Sequence, residues 1–203
     1  MTSPPDVVPE FARERINYPP YGGTMSKTSI SLNGVDVTTV ITLAAQVDTN
    51  PDLAKDLSAY SRRARVRWIS GLHSQAYTRD VPPHAYDEPE WLGGTNRAMA
   101  ASEALLGAVG GCIAVGFAVN AALREVPVHE LEIEVEGTID LPSFFGVREG
   151  NSGYKQIHVT IYTRCDADPA LLDEIAYRAV QLSPVANTVR HPVDVQYTVR
   201  PIA

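Results

Sequence analysis

The chain is poor in cysteine, with two in 203 residues, and poor in aromatic side chains, at 7%. Two thiols cannot make a disulfide framework, and so few suit a reducing compartment, the cytoplasm. The opening residues, "MTSPPDVVPEFARER", contain no apolar core of the kind a signal peptide carries, so no export leader is expected. Basic residues are also in short supply. Lys and Arg total 17 against 24 Asp and Glu, a formal net charge of −7, which argues against a phosphate-binding surface and hence against a nucleic-acid partner. There is no internal repeat, no low-complexity tract, no G-x-G-x-x-G and no P-loop, so neither a dinucleotide fold nor a phosphate cradle is expected, and no cofactor. Long apolar runs are missing too. The longest, Ala104 to Val119, is cut by Asn120 just short of the ~18 residues of a membrane span, and its Ala, Gly and Val carry little transfer energy. No membrane partner is expected.

What is present is the composition of a soluble globular chain: 44% hydrophobic and 20% charged residues, enough to bury one domain, with or without an extension. Residues 1 to about 30, with "SPP" and "YPPYGG", read as an extended arm. "NGVDVTTVITLAAQV" turns at Asn33-Gly34, with Asp36 as N-cap and a helical stripe of Val37, Val40, Ile41 and Ala44. "NPDLAKDLSAY" adds a short helix. "RRARVRWISGLHSQAYTR" is expected to form a basic strand with Trp68 on its packed side, followed by a Pro-rich loop with a tight turn at Gly93-Gly94. A long helix then starts between Ala98 and Glu103 and stops at Val126-Pro127.

Past that helix the period changes to two. "ELEIEVEG" places Leu131, Ile133 and Val135 on one face and Glu132, Glu134 and Glu136 on the other; "QIHVTIYTRC" and "VDVQYTV" repeat the alternation. The outward glutamates can pair with Arg or His across an antiparallel sheet. Asp168 caps an amphipathic helix with Pro169 at its first position and Leu171, Leu172, Ile175, Ala179 and Val180 inward; Ser183 and Pro184 start a last short helix. The order is α+β with an antiparallel sheet.

The long helix, "EALLGAVGGCIAVGFAVNAALRE", is apolar on every side, as a helix enclosed by protein is. Its Cys112 has two readings: a small buried hydrophobe, or a reactive thiol, which needs a lowered pKa and access.

"DEPEWLGGTNRAMAASEALLGAVGGCIAVGFAVNAALRE", with "LEIEVEGTIDL" and later "SPVANTV", resembles the OsmC-like family, which includes the OsmC and organic hydroperoxide resistance proteins. The spacing from Glu103 to Cys112 is its most specific part. The resemblance covers about residues 60 to 203 and divides the chain into a 1–58 arm with a helical extension and a 59–203 domain. It implies an antiparallel sheet wrapped around a long buried central helix, in an intertwined homodimer, with Cys112 as the attacking thiol in an interface pocket. In the peroxidases of the family, that thiol attacks a hydroperoxide and a second cysteine resolves the sulfenic acid.

This chain departs from the pattern. Ser183 stands where the family has its resolving cysteine, and Cys165 lies on a strand end far along the chain from that motif. The activating arginine of the family lies ahead of the Gly-Gly turn, where this chain reads "HAYDEPEW", with Arg79 and Arg97 only flanking it. Glu103 matches the glutamate of many members, and the extra glutamate of the hydroperoxide enzymes is Ser102 here. Glu103 also suits a helix start electrostatically; at two and a half turns from Cys112 it is better placed to orient an arginine than to touch the thiol. His73, His84, Asp87 and Glu88 show no recognised ligand spacing, so no metal is expected; His84 is a candidate base for Cys112. Two functions follow. One is reduction of a peroxide or another electrophile by a single thiol, with an external thiol as resolving partner. The alternative is non-redox: binding of a small organic molecule, or its hydrolysis by Cys112 as nucleophile.

Overall fold

The structure is a computed structural model, and it describes residues 31–201. The arm expected over residues 1 to 30 lies outside the described residues. The chain divides into two compact units, one containing residues 44–103 and the other residues 31–43 with 104–201.

In the second unit the chain opens with a two-residue hairpin, β1 (Ser31–Leu32) and β2 (Val35–Asp36). Its turn is the one read at Asn33-Gly34, with φ of 57° and 75°, the left-handed pair that a tight primed turn requires. The Asn33 side chain does more than turn the chain. Its Nδ2 donates to the Val126 carbonyl (2.9 Å) and its Oδ1 accepts from the Val128 N–H (2.8 Å), so one amide clamps the backbone on both sides of Pro127. Helix α1 (Val37–Thr49) follows, with Asp36 accepting from the Thr39 N–H (3.0 Å) and hydroxyl (2.8 Å). Those bonds hold the Asp36 carboxyl below its ordinary range. The half-buried stripe is Val37, Val40, Leu43 and Val47; Ile41 and Ala44, expected inward, are exposed.

The first unit holds α2 (Pro51–Ser58), capped by Asn50, and a three-stranded antiparallel sheet. The expected single basic strand is in fact a hairpin, β3 (Arg65–Ser70) and β4 (His73–Tyr77), turning at Gly71 with φ 53°. Part of the expected Pro-rich loop is a third strand, β5 (His84–Tyr86), paired with β4. Trp68 is not on a packed side: it is 70% exposed, its Nε1 donating to the Gly71 carbonyl (2.9 Å).

Helix α3 (Ala101–Ala122) is the long helix of the sequence. It ends in a Schellman motif, with the Val126 N–H on the Ala121 carbonyl and the Glu125 N–H on the Ala122 carbonyl, and with Glu125 left-handed at φ 58°. One face, Val109, Ile113, Phe117 and Ala121, forms the core with Val126, Ile175 and Ala179. The backing sheet is β6 (Val128–Ile139) against β7 (Tyr154–Cys165), antiparallel over its length, with Leu131, Ile133, Val135, Val159 and Ile161 turned to that core as their alternation predicts. Gly110 permits the close approach: a Cβ there would lie 3.1 Å from Val135 Cγ2. On the outer face Glu130 reaches Arg164 at 3.6 Å, Glu136 stands opposite His158, and the Tyr162 hydroxyl donates to Glu134 (2.9 Å).

A short helix, α4 (Leu141–Phe144), breaks the β6–β7 connection, capped by Asp140. Helix α5 (Pro169–Gln181) closes the core with Ile175 and Ala179, capped by Asp168, and α6 (Pro184–Arg190) follows with Ser183 as its cap. Two expectations are corrected here. Among the described residues "VDVQYTV" pairs with no strand; Val193, Val195, Tyr197 and Val199 are 60%, 85%, 91% and 78% exposed. A strand needs a partner edge, and alternation alone does not supply one. Nor is α3 covered on all sides within one chain, since Val115 is 65% exposed and the Gly107 and Gly111 positions face open space.

Candidate functional site

Cys112 sits in the middle of α3 and is half-buried, between the buried stripe and the open face of the helix. One turn further on, Gly116 is pressed against α5: a Cβ there would lie 3.3 Å from the Ala179 Cα and carbonyl oxygen. On the other side of Cys112, Leu105 and Val109 line a cavity together with Ala186 of α6. Ser183 falls between Ala179 and Ala186 in the chain. α3 thus meets α5 at Gly116 and borders a cavity together with α6, whose cap is Ser183.

Ser183 is 3% exposed, and its Oγ accepts from the Ala186 N–H at 3.1 Å. Asn187 ties the same turn down, its Nδ2 donating to the Gln181 and Ser183 carbonyls. The hydroxyl is thus a helix cap in an ordered turn. Cys165 lies at the end of β7, opposite Val128, half-buried against the far end of the core. Both thiols are free.

The cavity has a volume of about 580 Å³, within the ~300–1,000 Å³ of small-molecule sites, and its lining includes Val109 and Ile113 but neither Cys112 nor Ser183. Its inner walls are apolar side chains of α3, β7, α5 and α6, and Lys155 and Arg190 stand in its lining.

The other candidates stand elsewhere. Glu103 accepts from the Ala100 N–H at 2.7 Å, a bond that closes the first turn of α3, and no arginine pairs with it among the described residues. In the structure Glu103 acts as a cap of the helix start. Glu88 is raised above the ordinary glutamate value, first by burial and then by the charges of Glu103 and Asp87. Arg97 is exposed and contributes its backbone N–H to Asp87 (3.2 Å); Arg79 is exposed with φ 45°. His84 is exposed on β5, edge-on to Tyr86 at 5.1 Å. Among the described residues no three His, Cys, Asp or Glu side chains gather as a metal site.

The sequence reading missed what Asp87 does. It is 1% exposed and accepts from the Thr95 hydroxyl (2.5 Å) and from the N–H groups of Glu88 (2.9 Å), Thr95 (3.2 Å) and Arg97 (3.2 Å). Those donors, the Thr95 hydroxyl foremost, bring its pKa down to about 2. The loop that closes on it needs Gly94, where any Cβ would fall on the Glu88 carbonyl. An Asp ahead of a Pro and a Gly-Gly turn was the available signal.

A long apolar helix that carries a thiol, backed by a two-stranded antiparallel sheet and closed by an amphipathic helix, defines an α+β protein of the OsmC type. The chain belongs to the OsmC-like family: the family model described as OsmC-like protein matches residues 94–198. Similar solved structures include an OsmC-like protein from Mycoplasma pneumoniae, with 15% identity over 65% of this chain and 89% of that one at a TM-score of 0.56. An OsmC-like protein of unknown function from Vibrio cholerae has 11% identity over 64% and 93%, TM-score 0.51. An organic hydroperoxide resistance protein OsmC from Legionella pneumophila has 16% identity over 68% and 95%, TM-score 0.50. At these identities the likeness is one of fold. No curated protein matches by sequence.

Proposed function

We propose that this protein reduces an organic hydroperoxide or a related electrophile through Cys112, with a thiol from outside the chain completing the cycle. The observation that carries the reading is a free, half-buried Cys112 on α3, close in the helix to Val109 and Ile113, which line an apolar cavity. The naming of the Legionella pneumophila structure as an organic hydroperoxide resistance protein supports a peroxide-related role for the family.

The chemistry balances without a second cysteine. The Cys112 thiolate attacks the outer oxygen of ROOH, the O–O bond breaks, and RO⁻ takes up a proton and leaves as an alcohol. Sulfur is oxidised to the sulfenic acid and the peroxide is reduced. An external thiol then attacks the sulfenic sulfur, giving a mixed disulfide and water, and a second thiol frees Cys112. Ser183 can neither form nor exchange a disulfide, which is why the resolving thiol is assigned to another molecule.

The family's dimer belongs to the same proposal. A second copy would cover the open face of α3, and the protein would act in the cytoplasm, where reducing thiols abound. The expected measurement is consumption of cumene hydroperoxide that depends on an added monothiol and is abolished by Cys112→Ser but not by Cys165→Ser. A wild-type protein that consumes no peroxide, yet acylates Cys112 with an activated ester and releases the acid, would favour the hydrolytic reading, to which the capped Ser183 is equally suited.

A further inference from the structure

Asn33 is the one asparagine of the chain that is followed by glycine. In that pair a backbone nitrogen can reach the side-chain amide with least hindrance, because glycine has no Cβ to crowd the approach. Packing does not cover it either: Gly34 is exposed, and a Cβ built on it would meet no atom within 4 Å. Asn50, by contrast, precedes Pro51, which has no N–H to become a nucleophile. What holds the Asn33 carboxamide back is its clamp. Nδ2 donates to the Val126 carbonyl (2.9 Å) and Oδ1 accepts from the Val128 N–H (2.8 Å), so both ends of the amide are engaged on another part of the backbone.

We propose that Asn33 is a deamidation site that works as a one-way latch: it reacts only when the clamp opens, and its product cannot close the clamp again. The Gly34 N–H gives up its proton to solvent, and the nitrogen bonds to the Asn33 Cγ. The Cγ–Nδ2 bond breaks, and Nδ2 leaves as ammonia with a proton returned from solvent, which yields a cyclic imide. Water then opens the ring at either carbonyl, to aspartate or to isoaspartate. No electrons are transferred; the sum is amide plus water to acid plus ammonia. The aspartate oxygen that replaces Nδ2 carries no hydrogen, so it would face the Val126 carbonyl acceptor against acceptor, and Val126 is only 4% exposed. Isoaspartate adds a methylene to the main chain inside a turn whose two left-handed residues, φ 57° and 75°, set the hairpin's register. Either product frees the β1–β2 hairpin from the backbone on both sides of Pro127. The latch is independent of Cys112, so peroxide consumption is no readout of it.

The test incubates full-length wild-type protein at mildly alkaline pH, folded and in urea, and follows Asn33 by peptide mapping that separates aspartate from isoaspartate. In urea Asn33 should convert first among the asparagines, ahead of Asn151, which precedes Ser152. In the folded protein it should convert at least about tenfold more slowly, the factor that a local opening of ~1.4 kcal/mol imposes. Hydrogen exchange then reads the product. The Val128 N–H should exchange faster in the deamidated fraction of aged protein, and in Asn33→Asp, than in fresh wild type, while the amides of α5 keep their protection. Conversion as fast in the folded protein as in urea, another asparagine converting first in urea, or a Val128 N–H as protected after conversion as before, each overturns the proposal.

Discussion

Asp87 shows how much one side chain can organise. Four donors converge on its two oxygens, and together they close the 87–97 loop ahead of α3. The sign of its pH dependence follows from the lowered pKa. The folded protein holds the carboxylate down to about 2 against 3.8 for the free group, so its contribution is complete above about 4 and is lost as the pH falls toward 2. Asp87→Asn should flatten that acid limb in a pH series of thermal melts. A limb unchanged by the substitution would place the acid sensitivity on another carboxylate, Asp140 first, since Lys155 and Arg148 hold it well below its usual range as well. The same scale shows what sequence could reveal. Cys112 and Ser183 were legible because a family spacing and a cap motif marked them. Asp87 was visible only as a candidate ligand, because three of its four donors are backbone N–H groups that leave no mark in residue identity.

Among the elements, those with chemical punctuation were read correctly. Asp168-Pro169 and Ser183-Pro184 open α5 and α6 at the expected residues, and the strict alternation of 131–136 and 157–161 gives β6 and β7 their buried faces. Three misreadings concern pairing. A lone Gly71 turns β3 into β4 with no second turn residue to announce it, and β5 is three residues long and exists only by pairing with β4. "VDVQYTV" has the pattern of a strand and no partner among the described residues. Substitutions at the α5–α6 junction test whether Ser183 faces Cys112. Ser183→Ala should cost ~1 kcal/mol in denaturant unfolding, the usual value of a lost cap. Ser183→Cys should fold and, on mild oxidation, crosslink to Cys112, which requires Cα atoms within about 7 Å. A folded variant that never crosslinks would show that Ser183 does not face Cys112.

For the whole molecule, the open face of α3 and the 192–200 segment, unpaired among the described residues, lead to the same expectation. Gly107 and Gly111 have no neighbour within 4 Å of an added Cβ, whereas Gly110 and Gly116 are filled by β6 and α5. In a lone chain, Gly111→Ala would remove a helix glycine and add stability of ~1 kcal/mol. In the homodimer that we propose, with an interface of the ~2,000 Å² class or larger, the bulkier Gly111→Leu should instead push the subunits apart. Sedimentation at low micromolar concentration is expected to show a wild-type dimer and a larger monomer fraction for Gly111→Leu. A folded wild-type monomer at that concentration would remove the dimer from the account.

The central claim is that Cys112 alone reacts and that no internal thiol resolves it. Wild-type protein should be treated with cumene hydroperoxide and a sulfenic-acid trap, then digested and mapped by mass spectrometry. The account predicts trapped or over-oxidised Cys112, unmodified Cys165 and no disulfide within the chain; added monothiol should convert the Cys112 product to a mixed disulfide. A Cys112–Cys165 disulfide, or a Cys112 as unreactive as Cys165, would contradict it.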